Sequence, residues 1–381
     1  INLNYNHIRA IPPVALLACL PGLTKLVLLR NHVTEQPIGD ADGSVSFCLE
    51  NDDDDYSLMP SNLTLLVWSI STVKRLAAHA FGRRALSQLD GLRLENSDMV
   101  EVDPLAFANK SSNAGPPAAV RELSLENNRI VTLDPATFRP LVNLVELTLS
   151  QNCLTGSLHP DTFLGLDKLE ILYLGQNRIT AIHPDTFKPL AGSLRELGLA
   201  TNQIGSIQSG TFHGLAKLNT LSLSNNELVS VAPDTFAGLT ALARLDLDSN
   251  RLSGTLHPDT LAGLGALREL NLDLNQLQSV EPSTFRDLVQ LERLWLNGNL
   301  LERIVPGTFA TLGALKSLRL HSNRLGGGGE GDGGRRQRLG PDVFAGLTDQ
   351  LSQLYLYDND GLDATAVTLP PSLNNIAEFL I

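Results

Sequence analysis

The segment LVELTLSQNCL, residues 144–154, decides the fold of this chain. It has the pattern Leu-x-x-Leu-x-Leu-x-x-Asn-x-Leu, and successive asparagines of this pattern are 24 or 25 residues apart. The regular part of the series comprises Asn128, Asn152, Asn177, Asn202, Asn226, Asn250, Asn275, Asn299 and Asn323. Its less regular members are Asn6, Asn31, Ser71, Ser97 and Asn359. The period predicts a repeat protein of about 14 stacked units and a partial one that ends at Ile381.

The first half of each repeat alternates apolar and polar residues. Leu147 and Leu149 are expected to point inward and the residues beside them outward, as in a short β-strand with one buried face. The Asn that follows is expected to turn inward, because its amide offers two donors and an acceptor to backbone groups that no helix satisfies. Stacking therefore predicts a parallel sheet beside a structural ladder of asparagines.

The second half of most repeats carries a phenylalanine, usually followed three residues later by Leu. These residues, which predict a second buried stack, are Phe138, Phe163, Phe187, Phe212, Phe236, Phe285, Phe309 and Phe344. Strands lie about 4.8 Å apart, whereas the outer segments need more width, so the stack is expected to bend. The predicted fold class is an α/β repeat: a right-handed solenoid with a concave parallel β-sheet and short 3-10, helical or loop segments on the convex side.

The composition agrees with a repeat built on one aliphatic shape, because 75 of 381 residues are Leu and only 5% are aromatic. A net charge of −12 argues against a nucleic-acid partner. Residues 34–60 contribute eight acidic residues and no Lys or Arg, so the rest of the chain is nearly balanced. The longest strictly apolar run, residues 14–20, is too short to cross a bilayer, so no membrane contact is expected from this segment.

This pattern, followed by Pro-x-x-Phe-x-x-Leu, resembles the typical leucine-rich repeat of extracellular proteins. Similar families are Toll-like receptor ectodomains, small proteoglycan-like proteins and the acid-labile subunit of the growth-factor carrier complex. The resemblance covers essentially the whole chain and implies a single leucine-rich repeat horseshoe, residues 1–381, on a secreted or cell-surface protein. Members normally carry cysteine-rich caps. Since the first strand is expected at Ile1 and the last at Ile381, both caps are expected to be absent from these residues.

Three intervals exceed the period and predict insertions near residues 34–60, 109–117 and 326–338. Each is expected to form a loop off the solenoid. The third insertion is glycine-rich and contains RRQR, residues 335–338. That tetrapeptide resembles a minimal furin-type cleavage motif, and a plain flexible linker is the other interpretation.

Outward strand positions form two clusters on the expected concave face. Asp246, Asp248 and Asp273 are expected to form an acidic patch. An aromatic and basic patch is expected from Arg293, Trp295, Arg319, His321, Tyr355 and Tyr357. Trp, Tyr and Arg dominate interface hot spots, because they bury a large area at a small entropy loss. The two patches therefore predict a site for a protein or peptide ligand, and a solvated sheet face with scattered aromatic residues is the alternative.

Asn62 and Asn109 begin Asn-x-Ser/Thr sequons and are predicted N-glycosylation sites of a secreted protein. Neither belongs to the asparagine ladder. Cys19 and Cys48 fall close together in the predicted stack and are a candidate disulfide, which would leave Cys153 over.

His-Pro-Asp occurs at residues 159–161, 183–185 and 257–259, which invites a metal or catalytic interpretation. The repeat offers another: each copy has the same phase, where Asp or Thr is expected to cap a short helical turn. A pair of stacked histidines without a third ligand is weak evidence for zinc. No catalytic signature is present, so we expect no enzyme, no metal and no cofactor.

The resemblance and the two patches together predict a non-enzymatic receptor ectodomain, of pattern-recognition or adhesion type. Its concave face is expected to bind a protein or peptide ligand. A secreted carrier or extracellular-matrix leucine-rich repeat protein is the alternative.

Overall fold

The structure is a computed structural model that describes residues 23–28, 44–45, 63–68, 74–81, 83–108, 118–326, 338–360, 362–363, 365–374 and 376–381. It divides into two compact units, Ile1–Leu194 and Arg195–Ile381. Nearly all residues of the three predicted insertions lie outside the described ranges. A single domain over residues 1–381 stays a prediction.

The first unit is built on parallel strands. Its elements are β1 (Lys25–Leu28), β2 (Ser44–Val45), β3 (Leu65–Trp68), β4 (Arg75–Leu76), α1 (Arg83–Gln88), β5 (Gly91–Leu94), β6 (Glu101–Val102), β7 (Glu122–Ser124), β8 (Glu146–Thr148), β9 (Thr155–Leu158), β10 (Ile171–Tyr173), β11 (Arg178–Ile182) and a 3-10 helix, Lys188–Leu190. The main sheet has the order β1-β3-β5-β7-β8-β10. Strands β2-β4-β6 and β9-β11 form two smaller sheets.

The second unit repeats the plan. Its strands are β12 (Glu196–Gly198), β13 (Thr220–Ser222), β14 (Arg244–Asp246), β15 (Ser253–Thr255), β16 (Glu269–Asn271), β17 (Gln276–Ser279), β18 (Arg293–Trp295), β19 (Ser317–Arg319), β20 (Gln353–Tyr355) and β21 (Glu378–Leu380). Its 3-10 helices are Pro258–Leu261, Pro282–Phe285 and Pro371–Leu373. The main sheet has the order β12-β13-β14-β16-β18-β19-β20-β21, with β15 and β17 paired separately. This architecture of stacked coils confirms the predicted fold class.

The core lies between the strands and the outer half of each coil. Inward strand residues such as Leu147 and Leu245 are fully buried. The phenylalanines stack in both units, with ring centroids 6.2 Å apart for Phe163 and Phe187 and 6.1 Å apart for Phe212 and Phe236. Burying a side chain of this size stabilises the fold by about 1.5–3 kcal/mol. Because it is the stacking of neighbouring coils that buries these side chains, each coil depends on its neighbours for most of its stability.

The asparagine side chains join neighbouring coils. In the first unit, Asn152 Nδ2 donates to the carbonyl of Leu125 in the preceding coil at 2.9 Å and to that of Leu149 in its own coil at 3.1 Å. Its Oδ1 accepts from the backbone N–H of Ile130 at 3.1 Å. Asn226 repeats these bonds in the second unit. Because the described ladder residues are only 4–8% exposed, water cannot replace these bonds.

The residue before each ladder position turns the chain out of its strand with left-handed backbone geometry. Its φ lies between +51° and +64° at Asn96, Asn127, Gln151, Gln176, Thr201, Asn225, Ser249, Leu274, Gly298, Ser322 and Asp358. Asn, Asp and Gly tolerate this region best, whereas other residues are strained in it. The repeat pattern does not by itself predict this conformation.

The His-Pro-Asp segments cap turns in the outer halves of their coils. The Nδ1 atoms of His159, His183 and His257 accept from the backbone N–H two residues later, at 3.1, 3.1 and 3.2 Å. The capping group is thus the imidazole, where the sequence had suggested Asp or Thr. Within the described ranges, no group of three His, Cys, Asp or Glu side chains is placed to hold a metal ion.

Candidate functional site

Register places the predicted patch residues in rows across the parallel strands of the second unit. One row joins Asp246, Asn271, Trp295, Arg319 and Tyr355 across β14, β16, β18, β19 and β20. The residues two positions later form a second row, in which the backbone ladder continues past the strand ends. That second row comprises Asp248, Asp273, Asn297, His321 and Tyr357. Side chains at these positions share one face of the sheet, which we call the strand face.

The Arg319 guanidinium lies between two aromatic rings. Its Cζ is 5.7 Å from the ring centroid of Trp295 and 5.6 Å from that of Tyr355. Both distances fall within the range of cation–π attraction. Because the three residues stand on consecutive strands, with Arg319 in the middle, the rings hold the guanidinium from opposite sides.

The second row adds an aromatic stack beside this guanidinium. The rings of His321 and Tyr357 are stacked, with centroids 4.4 Å apart and an interplanar angle of 14°. Tyr355 meets the His321 ring edge-on, at 6.2 Å. Burial, and then the charge of Arg319, lower the pKa of His321, which favours the neutral imidazole. We call Trp295, Arg319, His321, Tyr355 and Tyr357 the cation–aromatic cluster.

Two buried polar atoms of the cluster make no hydrogen bond. Among the described residues, neither Nε1 of Trp295 nor Nδ1 of His321 has a partner. Leaving such groups unpaired costs about 1–3 kcal/mol each. The Trp295 and His321 rings are therefore held in the cluster by packing and ring contacts.

Arg293 was predicted to belong to the aromatic and basic patch. In the structure it forms an ion pair with a carboxylate of the chain. It pairs with Glu269, its register neighbour on β16, and Arg244 pairs with the same carboxylate at 3.1 Å. Glu292 forms a second set of ion pairs, with Arg268 and with Lys316. Arg293 is thus paired within the chain, and its part in a ligand-binding patch stays a prediction.

The three aspartates of the predicted acidic patch are engaged within the chain. Asp246 is 7% exposed, and one of its oxygens accepts from Arg244 Nε at 2.8 Å. Burial raises its pKa, and Arg244 opposes that rise. Asp248 Oδ1 accepts from Ser224 Oγ at 2.5 Å and from Asn271 Nδ2 at 3.1 Å.

The pKa of the Asp273 carboxyl lies near neutrality. Its carboxylate accepts from the backbone N–H of Asn297 at 3.0 Å. Burial raises the pKa of Asp273 to about 7, against the opposing effects of the Asn297 hydrogen bond and the Arg319 charge, while Asp248 adds to the rise. Protonation of Asp273 therefore removes a negative charge that acts on Arg319.

Leu274 is a feature of this surface that sequence analysis missed. It has φ of +51° and is 59% exposed, at a coil position that mostly holds polar residues. In the next coil this position is Gly298, where an added Cβ would lie 2.7 Å from Leu274 Cδ2. The leucine therefore leans across a glycine beside the cluster. A signal was present in the sequence, because Asn, Gln, Ser, Thr or Asp fills most equivalent positions.

The strand face of the first unit has a different chemistry. A cleft of about 130 Å³ there is lined by glutamates, Glu95, Glu122, Glu126 and Glu146, and by Arg93. Arg93 pairs with Glu122 at 3.2 Å, and Gln151 donates to Glu126 at 2.8 Å. This face carries negative charge where the second unit carries aromatic rings.

Several predicted residues lie outside the described part of the chain. These are Cys19, Cys48, Asn62 and Asn109, so the candidate disulfide and both sequons stay predictions. Cys153 is described, is a free thiol and is partly exposed. None of the described helices is long and apolar enough to cross a membrane.

Comparisons with solved structures find the same fold in receptors. A chain of the TLR13–ssRNA13 complex is 25% identical, with a TM-score of 0.61, over 89% of this chain and 47% of that one. A chain of the glycosylated Toll–Spatzle complex of Drosophila is 20% identical, with a TM-score of 0.73, over 95% and 48%. The plant peptide hormone receptor RGFR1, in complex with RGF2, is 22% identical, with a TM-score of 0.65, over 96% and 51%. This chain thus spans about half the length of these chains.

Comparison by sequence gives the family. No curated protein matches the chain. The family profile described as "Leucine rich repeat" matches residues 118–157, 155–193, 192–252 and 265–325. These matches cover half of the chain and fall in both units, whose coils repeat the same ladder and core, so this chain belongs to the leucine-rich repeat family.

Proposed function

We propose that this chain is the non-enzymatic ectodomain of a cell-surface receptor, and that the cation–aromatic cluster binds a protein or peptide ligand. The observation that carries the proposal is the Arg319 guanidinium between the rings of Trp295 and Tyr355 on an open strand face. Aromatic and Arg side chains at the centre of an interface contribute most of its binding energy. The solved receptors that share the fold support an extracellular role.

The charges on the strand face favour a protein or peptide over a nucleic acid. Nucleic-acid binding needs several cations free to neutralise phosphates. In the second unit, Arg244, Arg268, Arg293 and Lys316 each pair with a carboxylate of the chain. The face thus offers a phosphate backbone little net positive charge, and its rings offer apolar area to a peptide.

The double substitution Trp295→Ala with Tyr355→Ala tests the proposal. A phage-displayed library of random linear peptides is first selected on the wild-type protein, and the peptides are then measured by fluorescence polarisation. Loss of two aromatic anchors is expected to weaken binding by at least about 30-fold. The denaturation midpoint is expected to change little, because both side chains stand on the strand face outside the leucine core.

Tyr173→Ala is the matched control, because Tyr173 holds the same coil position on β10 in the first unit. It is expected to leave peptide affinity unchanged. Equal affinity of wild type and double variant for every selected peptide would remove the cluster as the binding surface.

A further inference from the structure

Arg319 is an exception among the cations of the second unit's strand face. Arg244 on β14 and Arg293 on β18 pair with carboxylates, and so do Arg268 and Lys316, which directly precede strands of the same sheet. Among the described residues, Arg319 takes part in no ion pair and donates no side-chain hydrogen bond. Its contacts are the two rings, and a more distant Asp273 contributes only through its charge. A half-buried guanidinium is thus left with its N–H donors unused.

The ring contacts determine which side of the guanidinium is available. Trp295 and Tyr355 stand on the strands on either side of Arg319, with ring centroids 5.7 and 5.6 Å from its Cζ, so a partner is expected to reach the N–H groups from the open side of the strand face. A planar guanidinium edge matches a carboxylate, which accepts two parallel hydrogen bonds from it. Because ring contacts on both sides restrict the Arg319 side chain, less further entropy is lost when an acceptor binds.

The surrounding charges favour a monoanion. Asp273 acts on Arg319 from one side, and on the other Glu378 lies close enough to Tyr355 to raise the pKa of that phenol by hydrogen bonding. A dianionic phosphate or sulfate group would meet these carboxylates with only one uncompensated cation to attract it. A single carboxylate balances the single free positive charge.

We propose that Arg319, clamped between Trp295 and Tyr355, binds the side-chain carboxylate of an Asp or Glu in an extended segment of a protein partner. The assignment rests on the proposed function of the cluster and names the chemistry that the cluster recognises. A segment that contacts both rings must pass over Arg319, because the three residues stand on consecutive strands. It therefore presents a side chain at this point, and not a chain end.

A double-mutant cycle tests the assignment. Peptides selected on the full chain are synthesised with acetylated and amidated ends, so that side chains supply every carboxylate. Each acidic residue is replaced in turn by its amide, Glu by Gln or Asp by Asn. Every peptide is titrated against wild type, Arg319→Gln, Arg319→Lys and the control Arg268→Gln, which removes a cation that is already paired.

One acidic position is expected to stand out. Its amide replacement should weaken binding to wild type by about 10-fold or more and leave binding to Arg319→Gln unchanged. Arg319→Lys should recover only part of the difference, because an ammonium lacks the planar fork. Arg268→Gln should behave as wild type, and melting curves of all variants should coincide.

Other results overturn the assignment in distinguishable ways. Peptides that require Trp295 and Tyr355 but tolerate every amide replacement would leave the proposed function standing and remove the carboxylate site. Discrimination that persists in Arg319→Gln would place the carboxylate elsewhere. Failure of the library to yield any peptide that prefers wild type over the Trp295→Ala, Tyr355→Ala variant would overturn both proposals.

Discussion

The strand faces of the two units differ although their scaffolds are alike. In the first unit, glutamates around Arg93 line a cleft, and two of them, Glu122 and Glu126, contact neighbouring polar side chains. In the second unit, Arg319 lies between aromatic rings and forms no ion pair with the described residues. The repeat pattern places each set in register on the parallel strands of its own unit. Surface chemistry in this fold thus varies independently of the core, so scaffold and binding surface can be tested separately.

The largest expected effect concerns the shared scaffold. Asn152→Leu in the first unit and Asn226→Leu in the second remove the same hydrogen bonds from buried backbone groups. Each is expected to lower the free energy of unfolding by about 1–3 kcal/mol and to make the transition less cooperative. Chemical denaturation followed by circular dichroism measures both. A loss confined to one unit would show that the ladder does not serve the two scaffolds equally.

The repeat made much of the fold predictable from sequence. The repeat pattern tells which residues of successive coils are register neighbours, even across the long interval that holds residues 326–338, and it placed Trp295, Arg319 and Tyr355 in one row. The inward asparagines followed from the need to satisfy backbone groups at the turn. The sequence therefore supplied the coil positions of the candidate site.

Side-chain pairing and burial within the rows were not predictable in this way. Whether Arg293 turns to the rings or to Glu269 depends on rotamers and local charge, which spacing does not encode. The burial of Asp246 and the raised pKa of Asp273 depend on packing depth. The His257 cap also depends on a side-chain torsion that no residue pattern specifies.

A change in pH is expected to have an effect of intermediate size on peptide affinity. It tests a property of the second unit's strand face. The pKa of Asp273 is raised to about 7. Lowering the pH from about 8 to about 6 therefore neutralises it and removes its repulsion of a ligand carboxylate. Affinity for an acidic peptide is expected to rise about threefold. Titration by fluorescence polarisation across this range measures the change.

Two variants separate Asp273 from its neighbours. Asp273→Asn is expected to show the tighter binding at every pH in this range. His321→Gln is expected to keep the pH dependence, because the group that titrates is the Asp273 carboxyl and not the His321 imidazole. Asp248, which also acts on Asp273, accepts hydrogen bonds from Ser224 and Asn271 in both variants. A pH dependence that survives in Asp273→Asn would assign it to another group.

Stability should respond to the same proton in a direction set by linkage. The folded-state pKa of Asp273 is above its unfolded value of 3.8. The neutral carboxyl therefore contributes stability that is complete below the unfolded pKa and is lost as the pH rises through about 7. Asp273→Asn is expected to flatten this part of the stability profile, as measured by denaturation midpoints across the range.

The smallest expected effect concerns Leu274, whose effects on fold stability and on peptide affinity are expected to oppose each other. Its φ of +51° is strained for leucine, whereas Asn225 adopts φ of +53° at the same coil position. Leu274→Asn is expected to raise the free energy of unfolding by about 1 kcal/mol, because the side chain is 59% exposed and its loss opens no cavity. Chemical denaturation checks this, and the reciprocal Asn225→Leu is expected to destabilise by a similar amount.

Peptide affinity in the same variant decides why a strained leucine stands at this position. Leu274 is next to Asp273 and leans over Gly298, so a peptide on the cation–aromatic cluster is expected to contact it. Leu274→Asn should then weaken binding about fivefold while it stabilises the fold. Gain in stability together with loss of affinity is the signature of strain kept for binding. Stabilisation with unchanged affinity would instead show that Leu274 does not contribute to peptide binding. The binding surface would then not extend beyond the second row.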